Sequence, residues 1–142
     1  AVIFTDKGMQ LFSTRVETSP ESVKQIPIEE NIRSITYTQD KVGIVTDNVE
    51  GGDPYKLRIY DREGSPVFEK TFNYQYTGFD IDGDLVLLYN DSSCKVFNMT
   101  GTEKYNGTFE FTVSKVSAGR FPGTLLVMGP QMMMEIKNMM DI

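Results

Sequence analysis

The stretch YQYTGFDIDGDLVLLYNDSSCKVFNMTG, residues 74–101, decides the fold. It contains a nearly continuous apolar run, DLVLLYND from Asp84, and a more alternating run, SCKVFNMTG from Ser93. Short runs of aliphatic, aromatic and β-branched residues between Gly, Asp, Asn and Ser are typical of β-strands joined by tight turns. Asp82-Gly83, ahead of the apolar run, can supply the positive φ that a tight hairpin requires. The stretch therefore predicts consecutive antiparallel strands.

The same pattern recurs along the chain. An apolar-x-x-apolar-x-apolar pattern, followed by a turn and an apolar run, occurs at Ile32, Ile35 and Tyr37, at Tyr76, Phe79 and Ile81, and at Val113, Val116 and Ala118. The first two copies continue into an alternating run that ends at a Gly, and then into a more polar run. Four strands in about 40–45 residues are typical of a β-propeller blade.

The sequence therefore predicts an all-β fold of propeller-type four-stranded blades, about three and a half of them. The predicted blades are 1–30 (the last three strands of a blade), 31–73, 74–112 and 113–142 (the first three strands). A β-sandwich is the competing interpretation, because it also has short strands at regular spacing. Since propellers have 4–8 blades, we expect the chain to be the C-terminal part of a larger propeller. One helical turn is a weaker possibility, at Pro20 to Gln25.

Charge and composition exclude several functions. The chain has 14 Lys and Arg against 20 Asp and Glu, a net charge of −6, so no nucleic-acid partner is expected. It has no His, which excludes triads with a His base and His metal sites. Its one cysteine, Cys94, excludes an intramolecular disulfide and predicts a small buried apolar residue. No apolar run approaches the ~18–20 residues of a membrane span, so this segment itself is not expected to contact a membrane.

Two sets of residues are candidate sites. Asp80, Asp82 and Asp84 have the 1, 3, 5 spacing of a calcium loop, although Gly83 stands at position 4 and not at position 6. A hairpin turn is the competing explanation. Exposed Tyr rings suit sugars or peptides, so Tyr74 and Tyr76, at the predicted start of an inner strand, are candidate ligand-binding residues, with packing between blades as the alternative.

Methionines are concentrated near the C-terminus, at positions 128, 132, 133, 134, 139 and 140. Thioethers are soft ligands for Cu(I), and Met-rich surfaces can bind varied partners. Packing against the preceding blade is the simpler explanation. We therefore predict neither a metal site nor a cofactor site from these residues.

Unit length and strand order resemble the WD-repeat and PQQ-type propellers, although the chain has no Trp and so lacks their signature motifs. A closer resemblance is to an uncharacterised bacterial family known only as a domain of unknown function. It rests on IRSITYTQDKVGIVT from Ile32, YKLRIYDREGSPVFEK from Tyr55, and GDLVLLYNDSSCKVFNMTG from Gly83 followed by KYNGTF from Lys104. Members look like membrane-anchored proteins with C-terminal propeller-like repeats. The resemblance implies an extracytoplasmic, cell-surface location and carries over no functional residue.

The leading hypothesis is a non-catalytic, extracytoplasmic binding or scaffold module for a protein, peptide or glycan, without a cofactor. The first alternative is a fragment of a hydrolase-type propeller whose catalytic carboxylates lie partly outside the chain. The second is a purely structural element, in which two copies form a homodimer through exposed apolar blade faces. The choice among these hypotheses rests largely on analogy with other propellers, and propellers have many different functions.

Overall fold

The structure, a computed structural model, describes residues 2–5, 8–13 and 21–137. Within these residues it consists of fourteen β-strands and no helix, which confirms the all-β class. The strands are β1 (Val2–Thr5), β2 (Gly8–Ser13), β3 (Glu21–Pro27), β4 (Ile32–Tyr37), β5 (Lys41–Asp47), β6 (Tyr55–Asp61), β7 (Pro66–Phe72), β8 (Gly78–Asp82), β9 (Leu85–Tyr89), β10 (Ser93–Phe97), β11 (Glu103–Thr108), β12 (Lys115–Ala118), β13 (Leu125–Met128) and β14 (Met133–Ile136). The helical turn considered at Pro20 to Gln25 is wrong for its described residues, because they belong to β3.

The strands form four sheets, and each sheet is a meander in which consecutive strands pair antiparallel. The sheets are β1-β2-β3, β4-β5-β6-β7, β8-β9-β10-β11 and β12-β13-β14. The predicted four-stranded antiparallel unit is thus confirmed. Within the described part of the chain, no helix has the length and apolar character that a membrane crossing requires.

The turns explain why the meander repeats. Between the third and fourth strands, the side-chain oxygen of Asp61 accepts hydrogen bonds from two backbone N–H groups of its own turn, and Asn98 does the same one sheet later. Each turn then places a glycine at positive φ, Gly64 at 84° and Gly101 at 83°. A tight turn is defined locally when an Asp or Asn side chain accepts hydrogen bonds from the backbone of the turn and a Gly adopts the left-handed conformation. The spacing of Gly64 and Gly101 in the sequence therefore reports a true structural repeat.

The chain divides into two compact units, residues 1–73 and 74–142. In the first unit, the buried residues Ile28, Val42, Ile44 and Tyr60 form a cluster. In the second unit, the β8–β11 sheet and the β12–β14 sheet share a cluster made by Leu87, Cys94, Val96, Val113, Val116, Leu125 and Val127. Apolar side chains buried between two sheets are the main favourable contribution to their association.

Burial is uneven among the residues of the recurring pattern. Ile81 and Val116 are buried, whereas Ile35 and Tyr37 on β4 are exposed. The pattern therefore locates the first strand of three of the four sheets, β4, β8 and β12, but does not show which face of each strand is covered.

Candidate functional site

A cleft of about 1110 Å³ opens at one end of the second unit. Its walls are the turn between β8 and β9, the loop between β12 and β13, and the adjoining ends of β11 and β14. The charged residues in its lining are Asp82, Asp84, Lys104, Arg120, Glu135 and Lys137. Enclosed sites for small molecules are mostly apolar, so an open cleft with six charged residues is better suited to a macromolecular surface or a peptide.

The loop between β12 and β13 ends in a well-defined turn. The backbone N–H of Thr124 donates to the carbonyl oxygen of Phe121 at 3.2 Å, Pro122 is the second residue of the turn, and Gly123 is the third with φ of 78°. Pro followed by a Gly at positive φ is the signature of a type II β-turn. The loop is closed by a further bond, in which Gly119 N–H donates to the carbonyl of Thr124 at 3.0 Å.

The side chain of Thr124 holds this turn from the inside. Its Oγ1 donates to the carbonyl oxygen of Phe121 at 2.5 Å and accepts from the Phe121 N–H at 3.3 Å. Thr124 Oγ1 would lie 2.0 Å from a Cβ added at Gly119, so only glycine leaves room for the threonine. The backbone of the loop is therefore fixed by its own bonds, while the Phe121 ring is left 62% exposed to solvent. An apolar ring of this size on a rigid turn is a natural contact residue.

The charges around the cleft fall into two groups. The carboxylate of Asp82 accepts the N–H of Ala118 at 2.9 Å, and Glu135 pairs with Lys137 at 3.6 Å. In contrast, the side chains of Arg120 and Lys104 have no hydrogen-bond or ion-pair partner among the residues that the structure describes. With Asp84 also exposed, the lining carries three acidic and three basic side chains and no excess charge, and two of its cations without a partner lie beside an exposed aromatic ring.

Sequence reasoning missed this loop. The signal was present in FPGT, residues 121–124, because Pro-Gly between an aromatic residue and a Thr is a type II turn signature. The exposure of Phe121 could not be predicted from the sequence, because an aromatic residue next to a strand is more often buried.

The structure places the three aspartates of the predicted calcium loop in different roles. The Asp80 carboxylate accepts the N–H of Ile81 at 2.9 Å, Asp82 bonds to Ala118, and Asp84 is exposed in the β8–β9 turn. In that turn Gly83 has φ of 59°, as the hairpin explanation predicts. No group of three acidic or Cys side chains within the described ranges is placed to hold a metal ion. Calcium binding stays a prediction that a titration tests.

The two candidate tyrosines lie before β8, not at its start, because the strand begins at Gly78. The hydroxyl of Tyr74 forms a 2.7 Å hydrogen bond with Ser93 Oγ, and Lys95 Nζ lies 5.6 Å from the centre of its ring. Burial raises the pKa of Tyr74 above its usual value. Tyr76 packs edge-on against Phe79, with 6.5 Å between ring centres. Tyr74 therefore ties the connecting segment to β10, and a ligand role for either ring stays a prediction.

The methionines depart from the prediction of packing against the preceding blade. Met132, Met133 and Met134 are exposed, and only Met128 is half-buried. The physical reason is that β14 is the last strand of its sheet and has a neighbour on one side only among the described residues. Met139 and Met140 lie outside the described residues.

Cys94 is fully buried, as predicted, and burial raises the pKa of its thiol to about 12. In the unfolded chain the thiol ionises near pH 8.5, whereas in the folded chain it stays protonated up to about pH 12. Between these pH values only the unfolded state gains the free energy of ionisation, so the unfolded state is stabilised relative to the folded state. We expect the free energy of unfolding to fall between about pH 9 and pH 12, and to fall less steeply in the variant Cys94→Ala. Urea denaturation at a series of pH values measures this.

Tyr74 and Tyr105, whose pKa values burial also raises, contribute to the same alkaline loss of stability. The comparison of slopes between the natural chain and Cys94→Ala isolates the thiol, because both tyrosines are present in each. Equal slopes would contradict the assignment to Cys94. A thiol reagent provides the second readout, since it should modify Cys94 only when the chain unfolds.

Four-stranded antiparallel meanders in series define a propeller-type fold. The chain belongs to DUF5711, a family of unknown function, whose family model matches residues 1–137. No curated protein matches the chain.

Solved structures of propeller type are similar to the chain. BamB from Moraxella catarrhalis is 14% identical with a TM-score of 0.58, over 98% of this chain and 45% of BamB. HIRA(644-1017) is 12% identical with a TM-score of 0.59, over 89% of this chain and 40% of that one. Hsv2 from Kluyvelomyces marxianus is 13% identical with a TM-score of 0.53, over 96% and 46%. The chain thus spans less than half the length of these structures, and at such identities the likeness concerns the fold alone.

Proposed function

We propose that the chain is a non-catalytic binding module that docks a protein partner at the cleft beside the loop of residues 119–124. The observation that carries the proposal is the exposed Phe121 ring on a turn fixed by Thr124. A contact residue held in its bound conformation loses little conformational entropy on binding, so more of its burial energy contributes to affinity. Interface energy is concentrated in such aromatic and Arg anchors.

The charges beside the ring define the partner more closely. Arg120 and Lys104 have no partner among the described residues, while the chain as a whole carries a net charge of −6. The lining carries three acidic and three basic side chains, so it has no excess charge. A carboxylate on a partner can pair with the two free cations, whereas a segment that is acidic throughout would be repelled by Asp82, Asp84 and Glu135. The expected partner therefore presents one or two carboxylates next to an apolar pocket or side chain that receives Phe121.

The absence of catalysis is part of the proposal. The one thiol, Cys94, is buried, and its raised pKa keeps it protonated at neutral pH, so it is not available as a nucleophile. The structural alternative, a homodimer formed through exposed apolar blade faces, would use those faces and not the cleft.

Peptide display tests the proposal. Random dodecamer peptides are selected on the immobilised chain, and the affinities of the selected peptides are measured in solution by fluorescence anisotropy. We expect sequences in which Asp or Glu neighbours an apolar residue, and an affinity loss of about tenfold or more on Phe121→Ala. Because the ring is exposed, this substitution should leave the unfolding midpoint unchanged.

The matched control is Val49→Ala, which truncates another exposed apolar side chain, in the loop between β5 and β6. It should change the affinities by no more than about twofold, in the range of near-neutral contacts. Peptides that bind Phe121→Ala as tightly as the natural chain, or a selection without acidic residues, would contradict the proposed site.

We further propose the extracytoplasmic location that the family resemblance implies. It is supported by the resemblance alone and concerns the full-length protein. Protease treatment of intact cells that express the full-length protein tests it: a cytoplasmic location predicts that the protein is protected until the cells are lysed.

A further inference from the structure

The loop between β5 and β6 contains the dipeptide Asp53-Pro54 at its end. Asn48, the first residue of the loop, organises it: its backbone N–H donates to the carbonyl oxygen of Pro54 at 2.9 Å, and its Oδ1 accepts from the Glu50 N–H at 3.4 Å. The side-chain amide of Asn48 donates to the carbonyl oxygen of Asp53 at 2.8 Å and to that of Gly51 at 3.2 Å. A hydrogen-bond donor is therefore in place on the carbonyl of the Asp53–Pro54 peptide bond.

The side chain of Asp53 is fixed through one of its two oxygens. Thr71 on β7 donates its hydroxyl hydrogen to Asp53 Oδ2 at 3.0 Å, while Asp53 Oδ1 has no hydrogen-bond partner in the part of the chain that the structure describes. Asp53 is half-buried, whereas its neighbours Gly52 and Pro54 are exposed. A Cβ added at Gly52 would meet no atom within 4 Å. The peptide bond is thus accessible to water, and its own residue carries an unbonded carboxylate oxygen.

The residue types at this bond favour its cleavage. The proline nitrogen forms a tertiary amide, and once protonated it is a better leaving group than the nitrogen of an ordinary peptide bond. An aspartate carboxylate can close a five-membered ring on the carbonyl carbon of its own residue, and intramolecular attack of this kind has a high effective concentration. A donor already bonded to the carbonyl oxygen stabilises the negative charge that the attack places there. Asp53, Pro54 and Asn48 therefore provide a nucleophile, a leaving group and an oxyanion donor.

We propose that the Asp53–Pro54 bond is a self-cleavage site of the folded chain, with the Asp53 carboxylate as the nucleophile and the Asn48 side chain as the donor to the developing oxyanion. Asp53 Oδ1 forms a bond to the Asp53 carbonyl carbon, the bond from that carbon to the Pro54 nitrogen breaks, and the nitrogen leaves with a proton from solvent. Water then hydrolyses the cyclic anhydride. The net reaction consumes one water molecule and leaves a C-terminal Asp53 and an N-terminal Pro54.

The strands on the two sides of the loop would hold the cut chain together. β5 and β6 pair in continuous register along their whole length, and Val45, Leu57 and Ile59 on these strands are fully buried. Both fragments therefore remain associated through this sheet. The site lies in the first compact unit and is independent of the docking proposed at Phe121 in the second. Self-cleavage acts once on the chain's own backbone, so it is compatible with a binding module that turns over no substrate.

Mass spectrometry of the chain kept in mildly acidic buffer tests the proposal, because acid supplies the proton for the leaving nitrogen. We expect fragments 1–53 and 54–142, which co-elute in size-exclusion chromatography. The reference is the peptide TDNVEGGDPYKL, residues 46–57, which contains the same bond without the fold. The folded chain should be cleaved at least about tenfold faster than the peptide. Methoxyamine, which remains a nucleophile in acid, should trap the anhydride as an N-methoxyamide on the fragment that ends at Asp53.

Three variants complete the test, each checked for folding by circular dichroism. Asp53→Ala should abolish the cleavage, because it removes the nucleophile. Asn48→Ala removes the amide donor and should slow the cleavage about tenfold or more. The matched control is Asn98→Ala, which removes the side chain that organises the β10–β11 turn and should leave the rate unchanged. Cleavage of the folded chain no faster than that of the peptide, an unchanged rate in Asn48→Ala, or cleavage without a methoxyamine adduct would overturn the proposal.

Discussion

Arg58→Ala should lower the free energy of unfolding by about 3 kcal/mol, because it leaves the Glu30 carboxylate without its partner in a largely buried position. The two side chains are only 14% and 16% exposed, and the Arg58 guanidinium donates directly to the Glu30 carboxylate. Burial acts to lower the pKa of Arg58, but the hydrogen bond with Tyr60 and the charges of Glu30 and Glu69 outweigh it and hold the pKa above its usual value. Urea denaturation measures the loss.

The matched control is Arg62→Ala, which breaks an ion pair with Asp40 at 3.6 Å in which both side chains are more than half exposed. Exposed pairs contribute about 0–1 kcal/mol, so this variant should be nearly neutral. The double variant Arg58→Met with Glu30→Leu removes both charges together and should recover most of the loss, since it leaves no buried charge unpaired. Equal effects of Arg58→Ala and Arg62→Ala would show that burial does not govern these pairs.

Leu87→Ala should cost about 2–5 kcal/mol, the range for a fully buried leucine, and should loosen two sheets at once. Leu87 belongs to β9, but the cluster around it includes Val116 and Val127 of the next sheet. The cavity left by the leucine therefore weakens the contact between sheets in addition to the sheet that carries the substitution. Urea denaturation gives the total loss, and hydrogen exchange gives its distribution, with faster exchange expected in β12 and β13.

Leu126→Ala is the control for this prediction, because it deletes the same atoms from a half-buried position on β13. Its cost should be less than half that of Leu87→Ala, in proportion to the smaller apolar area removed from contact. An effect of Leu87→Ala confined to the β8–β11 sheet would contradict a shared core. That result would count against adjacent sheets stacked as blades.

The strands and their order could be predicted because their signals are local. Apolar runs of the sequence form the strands β5, β9 and β13, and more polar runs form β7 and β11. The turns between strands carry Gly at positions of positive φ, and Asp or Asn where a side chain accepts backbone N–H groups. These signals recur from Ile32 to Tyr76 to Val113, at steps of 44 and 37 residues, and this recurrence favours repeated four-stranded meanders over a sandwich.

Burial and the site could not be predicted in the same way, because they depend on which sheet covers which. Tyr37 and Ile81 occupy the same place in the recurring pattern, yet Tyr37 is exposed and Ile81 is buried. Tyr74 was a candidate for ligand binding, but a serine 19 residues away binds its hydroxyl. The exposure of Phe121 and of β14 likewise follows from neighbours that are distant in sequence, so no local pattern reports it.

In the turn that carries Phe121, the residues that fix the backbone differ from the residue that is proposed to contact a partner. All the bonds that Phe121 makes within the loop involve its backbone, and the conformation is imposed by Pro122, Gly123 and Thr124. The ring itself contributes little to stability, so many other side chains would be accommodated at position 121 without disturbing the strands. If the proposed docking holds, a single substitution at position 121 would change what the cleft binds while the architecture stays intact, which makes this position the natural starting point for engineering new specificities into this protein.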